Sequence, residues 1–345
     1  MEKQVEISGR LIGNDFAPLI VPEIGINHEG SLEKAIQLID AAKSSGAEII
    51  KFQCHIVEEE MLKTGMKPGN ISKETLWDII ERCQFSEDQE YQLKEYTEKQ
   101  NMIYLSTPFS RKASERLNEM GVKAFKIGSG ECNNFPLIKH ICKFDKPIIL
   151  STGMNNFTDI KKSVDIINSF SIPLIILVCT STYPSKSNEM RLGRIKVFKD
   201  EFKNIPIGLS DHTEDIWTAL GSVSFGASLI EKHFTVSDDW PGPDIKVSIN
   251  PSKLKNLIEG SKEIWNARSG ETDIIKNEIP VANFAYASVV SIKKIKSGEK
   301  LSDENIWVKR PGDGDIHARE YENIIGKKAK IDIPTNHQLK WTDFE

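Results

Sequence analysis

Two histidines stand at the ends of apolar runs, His212 in "GLSDHT" and His233 in "EKHFT". Neutral imidazoles from neighbouring elements suit a divalent metal with positions left open for water or substrate. Two lysines occupy comparable places, Lys51 in "IIKFQ" and Lys126 in "FKIGSGE". Together with the hydroxyls of Ser106, Thr107, Ser129, Ser151, Thr152, Thr180, Ser181 and Ser210, they suit a phosphate or carboxylate. Glu23 and Asp244 add carboxylates for hydroxyl groups or protons. Gln53, Glu131, Tyr183 and Glu231 lie close to the same run ends. The expected chemistry is metal plus phosphate plus polyol. Plainer roles compete at each position. One polar residue at a strand end is ordinarily a loop hydrogen bond, and "SDHTED" also fits a helix N-cap supplied by Asp211 or Thr213. Lys126 fits a Schiff-base lysine as well, although its hydroxyl neighbours favour ion pairing. His28 in "NHEG" reads as a loop-structuring residue, His55 as a lesser candidate for lining the site, and His140 in "LIKHICKF" as packing or surface. His317 and His337 carry no argument.

These side chains meet only if their runs close on one another. Eight short β-rich runs recur: 19–27, 48–55, 102–110, 124–131, 147–154, 173–181, 205–212 and 228–236. Amphipathic helical stretches such as "SLEKAIQLIDAAKSSGA" separate them. That rhythm predicts a (β/α)8 TIM barrel, whose strand ends converge on one mouth. Glu23 and Asn27 share a face by period two, as do Lys51 and Gln53. The long gap from 56 to 101 must hold extra helices, with "SKETLWDIIERC" and "SEDQEYQLKEYTEKQN" as the candidates. No G-x-G-x-x-G or G-x-x-x-x-G-K-[ST] occurs, which disfavours nucleotide binding through such loops. The expected boundaries are a barrel over 1–270, a linker over 271–283 and a small β-rich domain over 284–345. The last is too short to bury much core by itself, which predicts docking on the barrel.

The bulk figures narrow the partners. The chain has 345 residues, 39% hydrophobic and 28% charged, with a net charge of −5. That balance speaks against a basic nucleic-acid binder. No apolar run reaches the ~20 residues of a membrane span, and "MEKQVEISGRLIG" lacks a signal-peptide core. Five cysteines without a CxxC pair fit free thiols in a reducing cytoplasm.

The motifs "VPEIGINHEGSLEKA", "IIKFQ", "YLSTPFS", "FKIGSGECNNFPLIKHI", "STGM", "TYP", "GLSDHT", "EKHFT" and "GPD" occur in this order. Their combination resembles the sialic acid synthases, and "FAYASVVSIKKIKSGEKLSDENIWVKRPG" resembles the antifreeze-like (SAF) domain of that family. The likeness covers nearly the whole chain. It implies condensation of phosphoenolpyruvate with an open-chain N-acetylated hexosamine, giving a nine-carbon 2-keto sugar acid and phosphate. It implies that His212 and His233 hold Mn2+, Mg2+ or Co2+. Lys51, Thr107, Lys126, Ser129, Ser151 and Ser210 would grip phosphoenolpyruvate, with Ser181 in the segment contacting it. Glu23, Gln53, Tyr183 and Asp244 would face the sugar. Arg310 of a domain-swapped SAF domain, supported by Phe284, would reach the partner's site in a homodimer. One departure bears on substrate. Neuraminate-making bacterial members often carry Asn where "CTSTYP" has Ser181, while serine occurs in members using other sugars. N-acetylmannosamine is the first expectation and a diacetamido sugar leading to legionaminic or pseudaminic acid the second. A pyruvate-dependent aldolase is the alternative from another class.

Overall fold

The protein is described here by a computed structural model covering residues 4–69 and 72–345. The chain divides into two compact units, one ending at Ser269 and the other running from Gly270 to Glu345.

The first unit begins with a hairpin, β1 (Val5–Ile7) and β2 (Arg10–Ile12). Ser8 and Gly9, at φ 51° and 84°, form its two-residue turn, the backbone that matches strand twist. Eight parallel strands follow: β3 (Leu19–Glu23), β4 (Ile49–Cys54), β5 (Ile103–Pro108), β6 (Phe125–Ile127), β7 (Ile148–Ser151), β8 (Leu174–Cys179), β9 (Ile207–Asp211) and β10 (Leu229–His233). Each falls inside one of the eight runs expected from periodicity. They pair in the order β5-β4-β3-β10-β9-β8-β7-β6. β5 and β6 lie side by side but share no backbone ladder among the described residues. The first and last strands of the series, β3 and β10, are joined, so the sheet curls into a barrel.

Alternation along each strand sorts the side chains into two cores. Ile20, Ile50, Tyr104, Phe125, Ile148, Ile176, Leu209 and Ile230 pack outward in a cluster with the helices. Leu19, Val21, Ile49, Leu105, Ala124, Ile149, Leu177 and Leu229 fill the interior. Val5, Ile7 and Ile12 of the hairpin belong to that inner cluster, sealing the N-terminal end of the barrel. The outer helices are capped where the sequence offers short polar residues. Ser31 caps Leu32–Ser44, Asn156 caps Phe157–Ser169, and Asn250 caps Pro251–Ala267 with proline at its first turn. Helices Leu76–Cys83 and Glu87–Lys99 fill the long gap, the second with a Ser86/Gln89 capping box.

The cap expected from Asp211 or Thr213 is corrected. The next helix starts at Trp217 and has no side-chain cap. Asp211 instead faces outward from β9 and pairs with Lys232 of β10 at 2.7 Å, both fully buried. It also accepts from the backbone N–H of Thr213 at 2.8 Å and from the hydroxyl of Thr218. A charge that deep is held by its partner rather than by a helix end.

In the second unit, β11 (Ser288–Ser291) and β12 (Ile306–Lys309) pair antiparallel. Most of its remaining pairing is by single bridges. It does bury a core of its own, including Val289, Ile295, Leu301, Ile306, Ile316, Ile324, Ile333, Leu339 and Phe344. The expectation of a thin core fails because turns, not long strands, carry these aliphatics inward. The same unit holds a short helix, Ile279–Ala285, with no buried residue. Among the described residues no helix is long and apolar enough to cross a membrane.

Candidate active site

The same alternation that packs the barrel interior puts polar side chains at its C-terminal end. On β3 the inward series Leu19, Val21 ends in Glu23; on β4, Ile49 is followed by Lys51 and Gln53; on β10, Leu229 by Glu231 and His233. These groups are almost wholly shielded: Glu23, Lys51 and Lys126 are each 2% exposed. Burial at this depth demands partners.

At the floor, Lys51 Nζ lies 2.5 Å from Glu23 Oε2 and 3.8 Å from Glu231 Oε2. It also donates to Thr107 Oγ1 at 3.1 Å. Lys126 Nζ donates to Ser151 Oγ at 2.8 Å and sits 3.7 Å from Glu231 Oε1. Ser210 Oγ donates to Glu231 Oε1 over 3.3 Å. Glu231 thus stands between two ammonium groups. Burial pushes its carboxyl up, but Lys126 and Lys51 together pull it below the ordinary range. Glu23 goes the other way: burial raises it and Lys51 offsets that only in part. Burial also depresses Lys126, against the opposing pull of Glu231. Two carboxyls with divergent proton affinities, beside two cations, can divide the work of proton handling and charge neutralisation.

One wall is lined with hydroxyls. The backbone N–H of Gly153 donates to Ser129 Oγ at 3.0 Å. A Cβ on Gly153 would run into the Ser181 hydroxyl and come within 2.9 Å of Ser129 Oγ. Glycine is therefore required there to let the two serines approach.

The rim also carries the histidines, with ring centroids 5.4 Å apart. His212 Nδ1 donates to the Thr180 carbonyl at 2.8 Å, and its Nε2 lies 2.9 Å from the Tyr183 hydroxyl. A histidine fixed from behind by a carbonyl is how metal-ligating imidazoles are oriented. His233 Nδ1 is buried without a hydrogen-bond partner, and Asp244 Oδ2 lies 3.7 Å from it. Burial, then the neighbouring His212, holds His233 well below the usual histidine range, so it is neutral. A divalent cation fits this donor set of two imidazoles with a carboxylate alongside. Among the described residues no group of three or more His, Cys, Asp or Glu side chains is already gathered to hold a metal ion. Cys179 lies under this rim, its sulfur 3.8 Å from His212 Nδ1. Burial would raise its thiol, but His212 brings it down to about 7.

On the remaining side, Gln53 Nε2 donates to Glu23 Oε1 at 2.8 Å. The candidates Glu23, Lys51, Gln53, Thr107, Lys126, Ser129, Ser151, Ser181, Tyr183, Ser210, His212, His233 and Asp244 all belong to this strand-end region of the first unit. Phe284 and Arg310 lie in the second unit, both exposed, Phe284 on the helix Ile279–Ala285 and Arg310 just after β12. The sequence marks Glu231 only as a strand-end polar residue, without a role. Its position two residues before His233, hence on the same face, was the available signal. Cys179 had the same signal, two residues before Ser181. His28 is a packing residue, as its loop suggested: it stacks on Phe85 at 4.2 Å and its Nδ1 accepts from the Gly30 N–H at 3.0 Å.

Known proteins share this arrangement at the level of sequence and fold. Residues 38–273 match the model of the NeuB family, and residues 286–345 match that of the SAF domain. An N,N'-diacetyllegionaminic acid synthase from Campylobacter jejuni is 38% identical, over 90% of this chain and 95% of its own. A protein of the same name from Legionella pneumophila is 32% identical, over 96% of each chain. Among solved structures, the N-acetylneuraminic acid synthetase of Leptospira borgpetersenii superposes with a TM-score of 0.75 at 29% identity, over 81% of this chain and 95% of that one. The chain belongs to the NeuB family and carries a SAF domain at its C-terminal end.

Proposed function

We propose that this enzyme condenses phosphoenolpyruvate with the open-chain aldehyde of an N-acetylated hexosamine, releasing phosphate and a nine-carbon 2-keto sugar acid. The observation that carries it is Glu231 set between Lys51 and Lys126, directly beneath the paired histidines. That floor suits a small, highly charged anion, and the rim above suits a polyol.

In this reading Lys126, Ser151, Ser129 and Ser210 hold the phosphate of phosphoenolpyruvate, while Lys51 and Thr107 hold its carboxylate; Ser181 completes the hydroxyl wall. The ammonium groups offset charge as the phosphate leaves. Gln53, Tyr183 and Asp244 orient the sugar so that its aldehyde carbon meets C3 of phosphoenolpyruvate, removing much of the entropic barrier. C3 forms the new carbon–carbon bond, the aldehyde oxygen takes a proton, and water adds at C2. The resulting tetrahedral centre expels phosphate and leaves the ketone. Glu23, with its raised proton affinity, handles the proton of the water or of the new hydroxyl. His212 and His233 would hold Mn2+, Mg2+ or Co2+, which as a Lewis acid polarises an aldehyde oxygen.

The higher identity to diacetyllegionaminic acid synthases than to the N-acetylneuraminic acid synthetase, together with Ser181, favours a diacetamido sugar over N-acetylmannosamine. The catalytic barrel is assigned to 1–270 and the SAF domain to 284–345, with Arg310 and Phe284 serving the partner's site in a domain-swapped homodimer. Five free, buried cysteines support a cytoplasmic location. Phosphate release is the test, with phosphoenolpyruvate, Mn2+ and each amino sugar in turn. The diacetamido sugar is expected to give the highest kcat/KM, and silence with every sugar would end the proposal.

A further inference from the structure

Gln53 does more than touch Glu23. Its side-chain amide has two ends, and both are engaged. Nε2 donates to Glu23 Oε1 at 2.8 Å, while Oε1 lies 2.9 Å from His55 Nε2. Behind His55, Nδ1 lies 2.9 Å and 3.1 Å from the two oxygens of Glu60. The imidazole also stacks on Phe109, with centroids 4.4 Å apart and planes 12° from parallel. The His55 and Glu60 side chains are only 5% and 4% exposed. Glu60 closes the short helix Val57–Glu60, so one turn of backbone carries it back toward His55, which directly follows the strand bearing Gln53.

The direction of each bond follows from the groups present. A carboxylate and an amide oxygen only accept. With the Gln53 amide in this orientation both ring nitrogens of His55 face acceptors, and Glu60 stands where it would match the charge of a doubly donating ring. Turning the Gln53 amide over would set its oxygen against the Glu23 carboxylate and its NH2 against the His55 N–H. The turned amide is satisfied only if a proton leaves His55 and another arrives on Glu23. The His55–Glu60 pair thus decides which face of Gln53, donor or acceptor, Glu23 meets.

We propose that His55 and Glu60 are positioning residues of the condensation: they lock the Gln53 amide with its NH2 toward Glu23, so that this carboxylate enters the reaction as an oriented acceptor. Neither residue touches the mouth's anion floor or its histidine rim. The proposal rests on the condensation reading for its kinetic consequence but not for its geometry.

The test pairs kinetics with spectroscopy on the full-length protein. Glu60→Gln, nearly isosteric, and His55→Phe, which keeps the stacking on Phe109, are expected to lower kcat about 10- to 100-fold. KM for phosphoenolpyruvate and Mn2+ binding should stay within about two-fold. Glu60→Asp, which keeps the acceptor, should recover most of the rate. In 15N-histidine NMR of the parent, the signals lost in His55→Phe should show both ring nitrogens protonated, and Glu60→Gln should abolish that pattern. The proposal falls if both variants keep kcat within about two-fold of the parent. It falls equally if their losses match a general drop in unfolding temperature and Mn2+ binding, or if His55 carries an unprotonated ring nitrogen. A parent that releases no phosphate with any sugar would sink the condensation reading instead, and the NMR pattern alone would then decide the arrangement.

Discussion

Lys126 is the residue on which the competing chemistries diverge. As an ion-pairing group it holds an anion; as a depressed amine it is also suited to attack a carbonyl. Lys126→Met is expected to lower phosphate release from phosphoenolpyruvate by ~10²-fold or more. Condensation of pyruvate that survives a chelator in the parent, and vanishes in this variant, would mark a Schiff-base aldolase instead. His28 offers a separate test, of stability rather than catalysis. Burial pulls it from 6.5 down to about 3. The folded state therefore binds fewer protons than the unfolded one at mildly acidic pH. Its contribution to stability is intact above 6.5 and lost as pH falls toward 3. The expected slope from this one group is about 1.4 kcal/mol per pH unit. Urea unfolding across that window should show it, and His28→Gln should flatten it. At this scale the sequence revealed residue types well and partnerships poorly. Glu231 and Lys126 stand on β10 and β6, far apart in the chain, so no local pattern joins them.

At the scale of elements, the eight barrel strands were legible because each is a continuous apolar run punctuated by an amphipathic helix. The hairpin Val5–Ile12 was not, since strands of three residues are too short to display a period. The segment after β9 was misread for a different reason. "SDHT" has the composition of a helix cap, and the competing partner of Asp211 sits on the next strand. That pair fixes the outer faces of β9 and β10, the two strands that present the histidines. Lys232→Met would leave Asp211 buried without its counter-charge, at a loss of about 3–5 kcal/mol in unfolding free energy. Adding Asp211→Leu should restore a large part of it, because the costly state is one charge alone. A double variant less stable than the single one would count against this account.

For the whole molecule, the question is whether the exposed Arg310 of the second unit serves catalysis at all. If it completes the site of a partner subunit, Arg310→Ala and Lys126→Ala proteins are each nearly inactive but complementary. Mixed and allowed to exchange subunits, they should regain up to about a quarter of parental activity, because the geometry leaves one intact site in each hybrid. Confirmed exchange without any recovery would exclude the swapped arrangement. Sequence periodicity marks where the strand–helix rhythm stops, yet not where the second unit finds its core, since turns rather than repeats bring its aliphatics together.

The barrel's seam has its own consequence. β5 and β6 close the cylinder without a shared ladder, and Thr107 and Lys126 stand on either side of that join. An anion gripped by both would act as a clasp across this gap in the cask, making up for a missing row of backbone hydrogen bonds with a bound charge. Amide hydrogen exchange in 103–108 and 125–127 should then slow on adding phosphoenolpyruvate, more than in β8 or β9. Equal protection of all strands would mean the join needs no such help.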